Sequence, residues 1–94
     1  MKTSKPMNGV ELLDEAKRLI TGDRLKDYGS ALVNHTRISS LWSAFLGVTI
    51  SPREAAIMMG LVKIAREAEG PKEDSIVDIA GSAAVCADIA REEW

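Results

Sequence analysis

Ninety-four residues and 10.2 kDa are the size of one domain with one core. Hydrophobic residues make up 46% of the chain and charged residues 28%, as in globular proteins. The net charge of −2 argues against a protein that coats nucleic acid, which would be basic. The single cysteine, Cys86, excludes an internal disulfide framework and a multi-cysteine zinc site. It fits a reducing cytoplasm, where we expect the protein to act.

No apolar run approaches the ~20 residues that a membrane-spanning helix needs. Residues 1–6 also lack the apolar stretch of a signal peptide. We therefore expect no membrane association. The charge is unevenly distributed, because residues 71–94 carry six acidic and two basic groups whereas residues 1–70 carry eight acidic and ten basic groups. The acids of the last segment are therefore the first candidates for metal binding.

The pattern predicts four helices and no strand, because Ala, Leu, Glu and Lys are frequent and no hairpin dipeptide separates alternating runs. Residues 1–7 are predicted to be a flexible tail, and residues 8–94 a single all-α domain. The start of helix three is the clearest, since Ser51 and Glu54 form a capping box around Pro52. The predicted helices run from Asn8 to about Thr21, from about Ser30 to Leu46, from Ser51 to about Glu69, and from 72–74 to the end of the chain.

Apolar spacing in three of these helices predicts one buried stripe each. The stripes are Val10, Leu13, Ala16, Leu19 and Ile20 in helix one; Ile38, Leu41, Trp42, Phe45 and Leu46 in helix two; and Ile76, Ile79, Ala80, Ala83, Cys86 and Ala87 in helix four. Helix three is apolar over a wider arc than one neighbour can cover. It is therefore either the central helix or part of a subunit interface. We expect a small four-helix bundle that is completed by forming a homo-oligomer.

Asp74 and Asp78 are the first candidate site. Their i, i+4 spacing places both carboxylates on one face of helix four, where they can hold a hard divalent cation such as Mg²⁺. The structural alternative is that acids in a first turn complement the helix dipole. This alternative explains Asp74 better than Asp78, which lies beyond that turn.

Lys63 and Arg66 are the second candidate site, because two cations at i, i+3 among apolar residues suit a phosphate. The alternative is a salt-bridge network with Asp74 and Asp78 on the next helix. Cys86 has no cation near it in sequence and is predicted to be an inert core thiol.

The connector over 22–29 is the third candidate. Arg24 and Lys26 could bind a phosphate and Tyr28 could stack on a base; alternatively, Tyr28 packs on the end of the bundle. Asn34 could bind a base edge, and His35 could be a ligand-binding residue or a satisfied core histidine.

A string of motifs along residues 8–90 resembles a small phage- and prophage-encoded family of uncharacterised proteins. It consists of Gly22-Asp23-Arg24 with Tyr28-Gly29, Asn34, Arg37-Ile38, Leu41-Trp42-Ser43, Ile50-Ser51-Pro52, Met58-Met59, Lys63-Ile64-Ala65-Arg66, and Asp74-Ser75 with Asp78-Ile79-Ala80-Gly81. The family has no known function, so this resemblance implies none for the chain.

A more distant resemblance is to the all-α NTP pyrophosphohydrolases, the MazG-like proteins. These oligomeric bundles bind Mg²⁺ through an E-x-x-E pair on one helix and an E-x-x-D pair on a later one, and cleave nucleoside triphosphates between the α- and β-phosphates. Asp74 or Glu73 with Asp78 resembles the second pair, although Asp74 and Asp78 are i, i+4 apart. Helix three lacks the first pair, for which helix one offers acids of the right type: Glu11, Asp14 and Glu15.

The sequence therefore supports three hypotheses. The first is a MazG-like enzyme that uses Mg²⁺ at Asp74 and Asp78 to hydrolyse a nucleoside triphosphate to the monophosphate and pyrophosphate. The second is a non-catalytic protein that sequesters a nucleotide or cyclic nucleotide and so removes a host signal. The third is a structural or protein-interaction bundle. A phage protein of either nucleotide-handling kind would act in the host cytoplasm.

Overall fold

The computed structural model describes residues 5–22 and 30–94. Within them the chain forms helices and no strand. The helices are α1 (Gly9–Ile20), α2 (Ala31–Leu46), α3 (Pro52–Glu69) and α4 (Glu73–Glu93). These bounds agree closely with the four helices predicted from the sequence. The all-α prediction is confirmed for the described part of the chain. No helix there is both long and apolar enough to cross a membrane.

The helix ends follow from the local sequence. Asn8 and Glu11 form a capping box at α1, and Ser51 and Glu54 form another at α3. In each box the N-cap side chain accepts a backbone N–H and the glutamate accepts the N-cap N–H, so two otherwise unpaired donors are satisfied. At α3 these hydrogen bonds from Ser51 also lower the pKa of Glu54. Gly47 ends α2 in the left-handed region, with φ of 74°, which glycine adopts without strain.

The central helix is α4 and not α3. Helix α4 packs against α1, α2 and α3, whereas α1 packs only against α4 among the described helices. The core cluster consists of Ala56, Val85 and Ile89, with Ala31, Leu32 and Cys86 packed around it. Ile89 is the one large side chain of the described residues that is fully buried. Cys86 is half-buried at the edge of this core and not inside it.

The predicted buried stripe of α4 was wrong. The buried residues are Ser75, Val77, Val85 and Ile89, whereas Ile76, Ile79 and Ala80 are half-buried and Ala83 and Ala87 exposed. The true face follows an i, i+4 series through Val77, Gly81, Val85 and Ile89. The sequence pattern missed it because Gly81, which has no side chain, interrupts the series, and because the buried Ser75 is polar.

The stripes predicted for helices one and two are also largely exposed. In α1 only Ala16 is buried, while Val10 is 69% and Leu13 61% exposed. In α2 the buried residues are His35 and Ser39, while Phe45 is 88% exposed. The described chain has too few helices to cover these apolar side chains.

The close approach of α3 and α4 depends on Gly60. A Cβ placed on this buried glycine would lie 3.2 Å from the Cβ of Ser82 on α4, closer than side chains normally pack. Gly81 on α4 is the opposite case, since an added Cβ there meets nothing within 4 Å. An alanine substitution at Gly81 therefore tests helix propensity alone, whereas the same substitution at Gly60 also tests the packing of α3 on α4.

We expect Gly81→Ala to raise the free energy of unfolding by about 1 kcal/mol, because alanine stabilises a helix interior relative to glycine. Gly60→Ala should gain clearly less or lose stability, because its methyl group pushes Ser82 away. Urea unfolding followed by circular dichroism measures both variants. An equal gain at both positions would show that α3 and α4 are not held this close.

Candidate functional site

A cavity of about 610 Å³ lies between all four helices. This volume is within the range of small-molecule sites. Its wall is mostly apolar, and includes Leu19, Met59, Val77 and Val85. Its polar and charged lining residues come from every helix, and they are Arg18, His35, Lys63, Asp78 and Ser82. An apolar chamber with a few polar groups is the usual form of a ligand site.

An acidic cleft adjoins the cavity. It is formed by residues just before α1, by α1 and by the start of α4, and its acidic lining residues are Glu11, Glu15, Glu73, Asp74 and Asp78. Leu19, Val77 and Asp78 line both the cleft and the cavity. The two spaces are therefore neighbours that share a wall, and Asp78 is the acid common to both.

Lys63 and Asp78 form an ion pair between α3 and α4. The Lys63 Nζ lies 3.0 Å from Oδ2 of Asp78, and the two side chains are 27% and 42% exposed. This is one contact of the salt-bridge network that the structural hypothesis predicted. Within residues 5–22 and 30–94, Arg66 and Asp74 form no ion pair, and both are exposed. The network thus reduces to a single pair in the described chain.

Arg18 is a cavity residue that the sequence analysis missed. Its Nε and Nη2 donate to Glu15 at 2.9 and 2.7 Å, a two-point contact between guanidinium and carboxylate. The hydrogen bond from Arg18 is the largest cause of the lowered pKa of Glu15. The i, i+3 spacing of the two residues predicts such a pair. Only the packing of α1 on α4 shows that Arg18 lines the cavity and Glu15 the cleft.

His35 is buried, with 3% of its surface exposed, and it lines the cavity. Its Nδ1 lies 2.9 Å from the backbone oxygen of Ala31. His35 is therefore buried, as the core alternative predicts, and it is also one of the residues that line the cavity. Its neighbour Asn34 is half-buried and lines neither space.

The remaining predicted residues do not meet at the site. Arg66 is exposed and lines neither the cavity nor the cleft, and the same holds for Asp14 on α1. The helix-one acids that do reach the cleft are Glu11 and Glu15, beside Asp74 and Asp78. Arg24, Lys26 and Tyr28 belong to 23–29, outside the described residues.

The cleft has the donor chemistry of a magnesium site without a preassembled one. Its lining holds five carboxylates and the ammonium group of Lys5, and carboxylates are the hard oxygen ligands that Mg²⁺ prefers. No three His, Cys, Asp or Glu side chains of the described residues are arranged to hold an ion by themselves. Mg²⁺ commonly binds one or two carboxylates together with phosphate oxygens, and Asp74 and Asp78, the pair predicted for such an ion, both line the cleft.

A family model described as a domain of unknown function (DUF6378) matches residues 11–90. The chain belongs to this family. The matched segment contains every acidic residue of the cleft.

Two curated relatives are phage proteins. The Gene 55 protein of Mycobacterium phage L5 is 47% identical over 78 residues, which are 81% of this chain and 50% of the relative. The Gene 55 protein of Mycobacterium phage D29 is 44% identical over 73 residues, which are 77% of this chain and 48% of the relative. The chain therefore spans about half the length of these relatives. No solved structure gives a significant match. The predicted resemblance to a phage-encoded family of uncharacterised proteins is confirmed.

We expect the Lys63–Asp78 pair to contribute little to folding, because half-exposed ion pairs stabilise proteins by at most about 1 kcal/mol. A double-mutant cycle with Lys63→Met and Asp78→Asn measures the coupling. It should be below about 1 kcal/mol in 0.1 M salt and fall as salt screens the charges. A coupling of several kcal/mol, insensitive to salt, would make the pair a structural element and support the third hypothesis.

Proposed function

We propose that this protein binds a nucleotide, with the base and sugar in the cavity and the phosphates over the acidic cleft. One observation carries the proposal: the cavity and the cleft share Leu19, Val77 and Asp78. A ligand that lies across this shared wall would have an apolar half and a charged half. A nucleotide bound with Mg²⁺ has this division, since its base is largely apolar on its faces and its phosphates carry the charge.

The charged residues at the border match the charges of such a ligand. Lys63 and Arg18 can donate to phosphate oxygens. Asp74 and Asp78 would hold Mg²⁺, which neutralises phosphate charge when bound. Lys63 lies 3.0 Å from Oδ2 of Asp78, and in the proposed complex Asp78 would exchange this contact for the cation. Asp74 has no ion pair or side-chain hydrogen bond within the described residues.

Hydrolysis of a nucleoside triphosphate is the first form that this function can take. The resemblance to MazG-like enzymes expected from the sequence would imply it, and the packing of α1 on α4 favours it. Helix three lacks an acidic pair, but Glu11 and Glu15 of α1 line the same cleft as Asp74 and Asp78. Two carboxylate pairs from different helices thus face one space. In this reaction a water oxygen bonds to the α-phosphorus and gives up a proton to solvent, the bond from the α-phosphorus to the bridging oxygen breaks, and pyrophosphate leaves.

Sequestration without cleavage is the second form. The α1 carboxylates already have partners, since Glu15 accepts from Arg18 and Glu11 accepts from the N–H of Asn8. A cleft in which these contacts persist would hold a nucleotide or cyclic nucleotide without activating water. Because the Gene 55 relatives are phage proteins, we place either activity in the cytoplasm of the infected host.

The test is incubation of the full chain with a panel of NTPs, dNTPs and cyclic nucleotides, in Mg²⁺, Mn²⁺ or EDTA. Equilibrium dialysis measures binding and ion-exchange chromatography measures products. We expect at least one nucleotide to be retained, and retention to drop at least tenfold in Asp78→Asn. The matched control is Asp88→Asn, which changes an exposed α4 acid outside both spaces. No retention of any nucleotide, or equal loss in both variants, would refute the proposal.

The reaction products distinguish hydrolysis from sequestration. Metal-dependent appearance of a monophosphate and pyrophosphate, lost in Glu15→Gln and kept in Asp14→Asn, identifies hydrolysis. Retention of intact nucleotide in every arm identifies sequestration. If neither cutting nor binding occurs, the bundle has the structural or protein-interaction role, and its partner is to be sought among proteins.

We also propose that the protein forms a homodimer. Exposed apolar side chains at helical spacing form an outer apolar face on two helices, namely Leu41 and Phe45 on α2 and Ile57, Leu61 and Ile64 on α3. A second copy would cover this face.

Light scattering after size-exclusion chromatography should give twice the 10.2 kDa chain mass at micromolar concentration. Phe45→Glu with Leu61→Glu should give the monomer mass with unchanged helicity, since both side chains are mostly exposed. The control Val10→Glu changes an exposed side chain of α1, outside the outer apolar face, and should stay dimeric. A monomer at all concentrations for the unaltered chain would refute the homodimer.

A further inference from the structure

The buried histidine has one nitrogen whose role is fixed and one that is free. The Nδ1 of His35 lies 2.9 Å from the backbone oxygen of Ala31. A carbonyl oxygen can only accept a hydrogen bond, so Nδ1 carries the hydrogen. In the neutral ring Nε2 then has a lone pair and no hydrogen, and it can only accept.

His35 is one of the residues that line the cavity. No group of the described residues hydrogen-bonds to Nε2. Among those residues no buried side-chain nitrogen or oxygen is both sealed from solvent and without a partner, so Nε2 retains accessible surface. His35 is 3% exposed and lines the cavity.

We propose that Nε2 of His35 accepts a hydrogen bond from an N–H group of the nucleobase. This inference rests on the proposed nucleotide function and adds the recognition of the base. The neighbouring lining residues Ala56, Met59 and Val85 are apolar, as the faces of a base require. Lys63 and Arg18 carry donors only and serve the phosphates. His35 thus supplies an acceptor on the α2 side of the cavity, where a planar heterocycle with an N–H edge would meet it.

The test compares nucleotides with analogues whose base N–H groups are replaced by methyl groups. Dialysis of the full chain uses ATP against N6,N6-dimethyl-ATP, and UTP against 3-methyl-UTP. Loss of one hydrogen bond should weaken retention roughly three- to tenfold for the methylated analogue of the bound nucleotide. His35→Leu should retain both members of the pair equally. His35→Gln, whose amide oxygen can accept, should restore part of the preference, and the control Asn34→Leu should leave it unchanged.

A readout that does not depend on a variant comes from nitrogen NMR of the unaltered chain. The chain has a single histidine, so its imidazole signals need no assignment. We expect the tautomer with hydrogen on Nδ1, and an Nε2 signal that moves when ATP or UTP binds and stays when the methylated analogue is added. Hydrogen on Nε2, or a preference unchanged in a folded His35→Leu, would overturn the inference while leaving nucleotide binding intact. No retention of any nucleotide would overturn both.

Discussion

The packing of α4 against three other helices at once is the constraint on which the site depends. Helix α4 contacts α1, α2 and α3, so one residue of α4 can contact side chains from more than one other helix. Asp78 illustrates this, because it pairs with Lys63 of α3 and borders the cleft that α1 helps to form. Small residues make the arrangement possible. Gly60 and Ser82 allow α3 to approach α4 closely, which brings Lys63 within reach of Asp78.

The electrostatics of the site follow from this packing. The carboxylates of α1 and α4 line one cleft, where like charges repel. Two cations reduce the repulsion, since Arg18 binds Glu15 within α1 and Lys63 binds Asp78 across helices. Both cations also line the cavity. In the proposed complex these two cations would turn from the carboxylates to the phosphates, at the small cost of exchanging half-exposed ion pairs.

Local signals in the sequence predicted the helices well. Asn8, Ser51, Pro52 and Gly47 act through hydrogen bonds and backbone angles within a few residues, and all were found at the predicted ends. Burial was predicted poorly. The pattern of apolar bulk selected Leu13 and Phe45, which are exposed, because periodicity identifies an apolar face but not whether the same chain covers it.

The candidate site was predictable only in part, for a related reason. The spacing of Asp74 and Asp78 marked them as a pair, and they do line one cleft. Glu11 and Glu15 line the same cleft as that pair because of the angle at which α1 packs on α4, and no local signal encodes this angle. The same holds for Arg18, whose partner Glu15 is local but whose place at the cavity is not.

Because the core is small, the candidate site and the outer apolar face both bear on the stability of the domain. Within the described chain, the fully buried apolar side chains are few, and several of them are alanines. A domain of this length is marginal unless further apolar surface is removed from water. Large apolar side chains of α2 and α3, such as Phe45 and Leu61, are exposed, while the mostly apolar cavity wall also carries polar and charged groups from every helix. In the proposed homodimer, apolar burial between copies would stabilise this small fold, and binding of the proposed ligand would add stability by mass action.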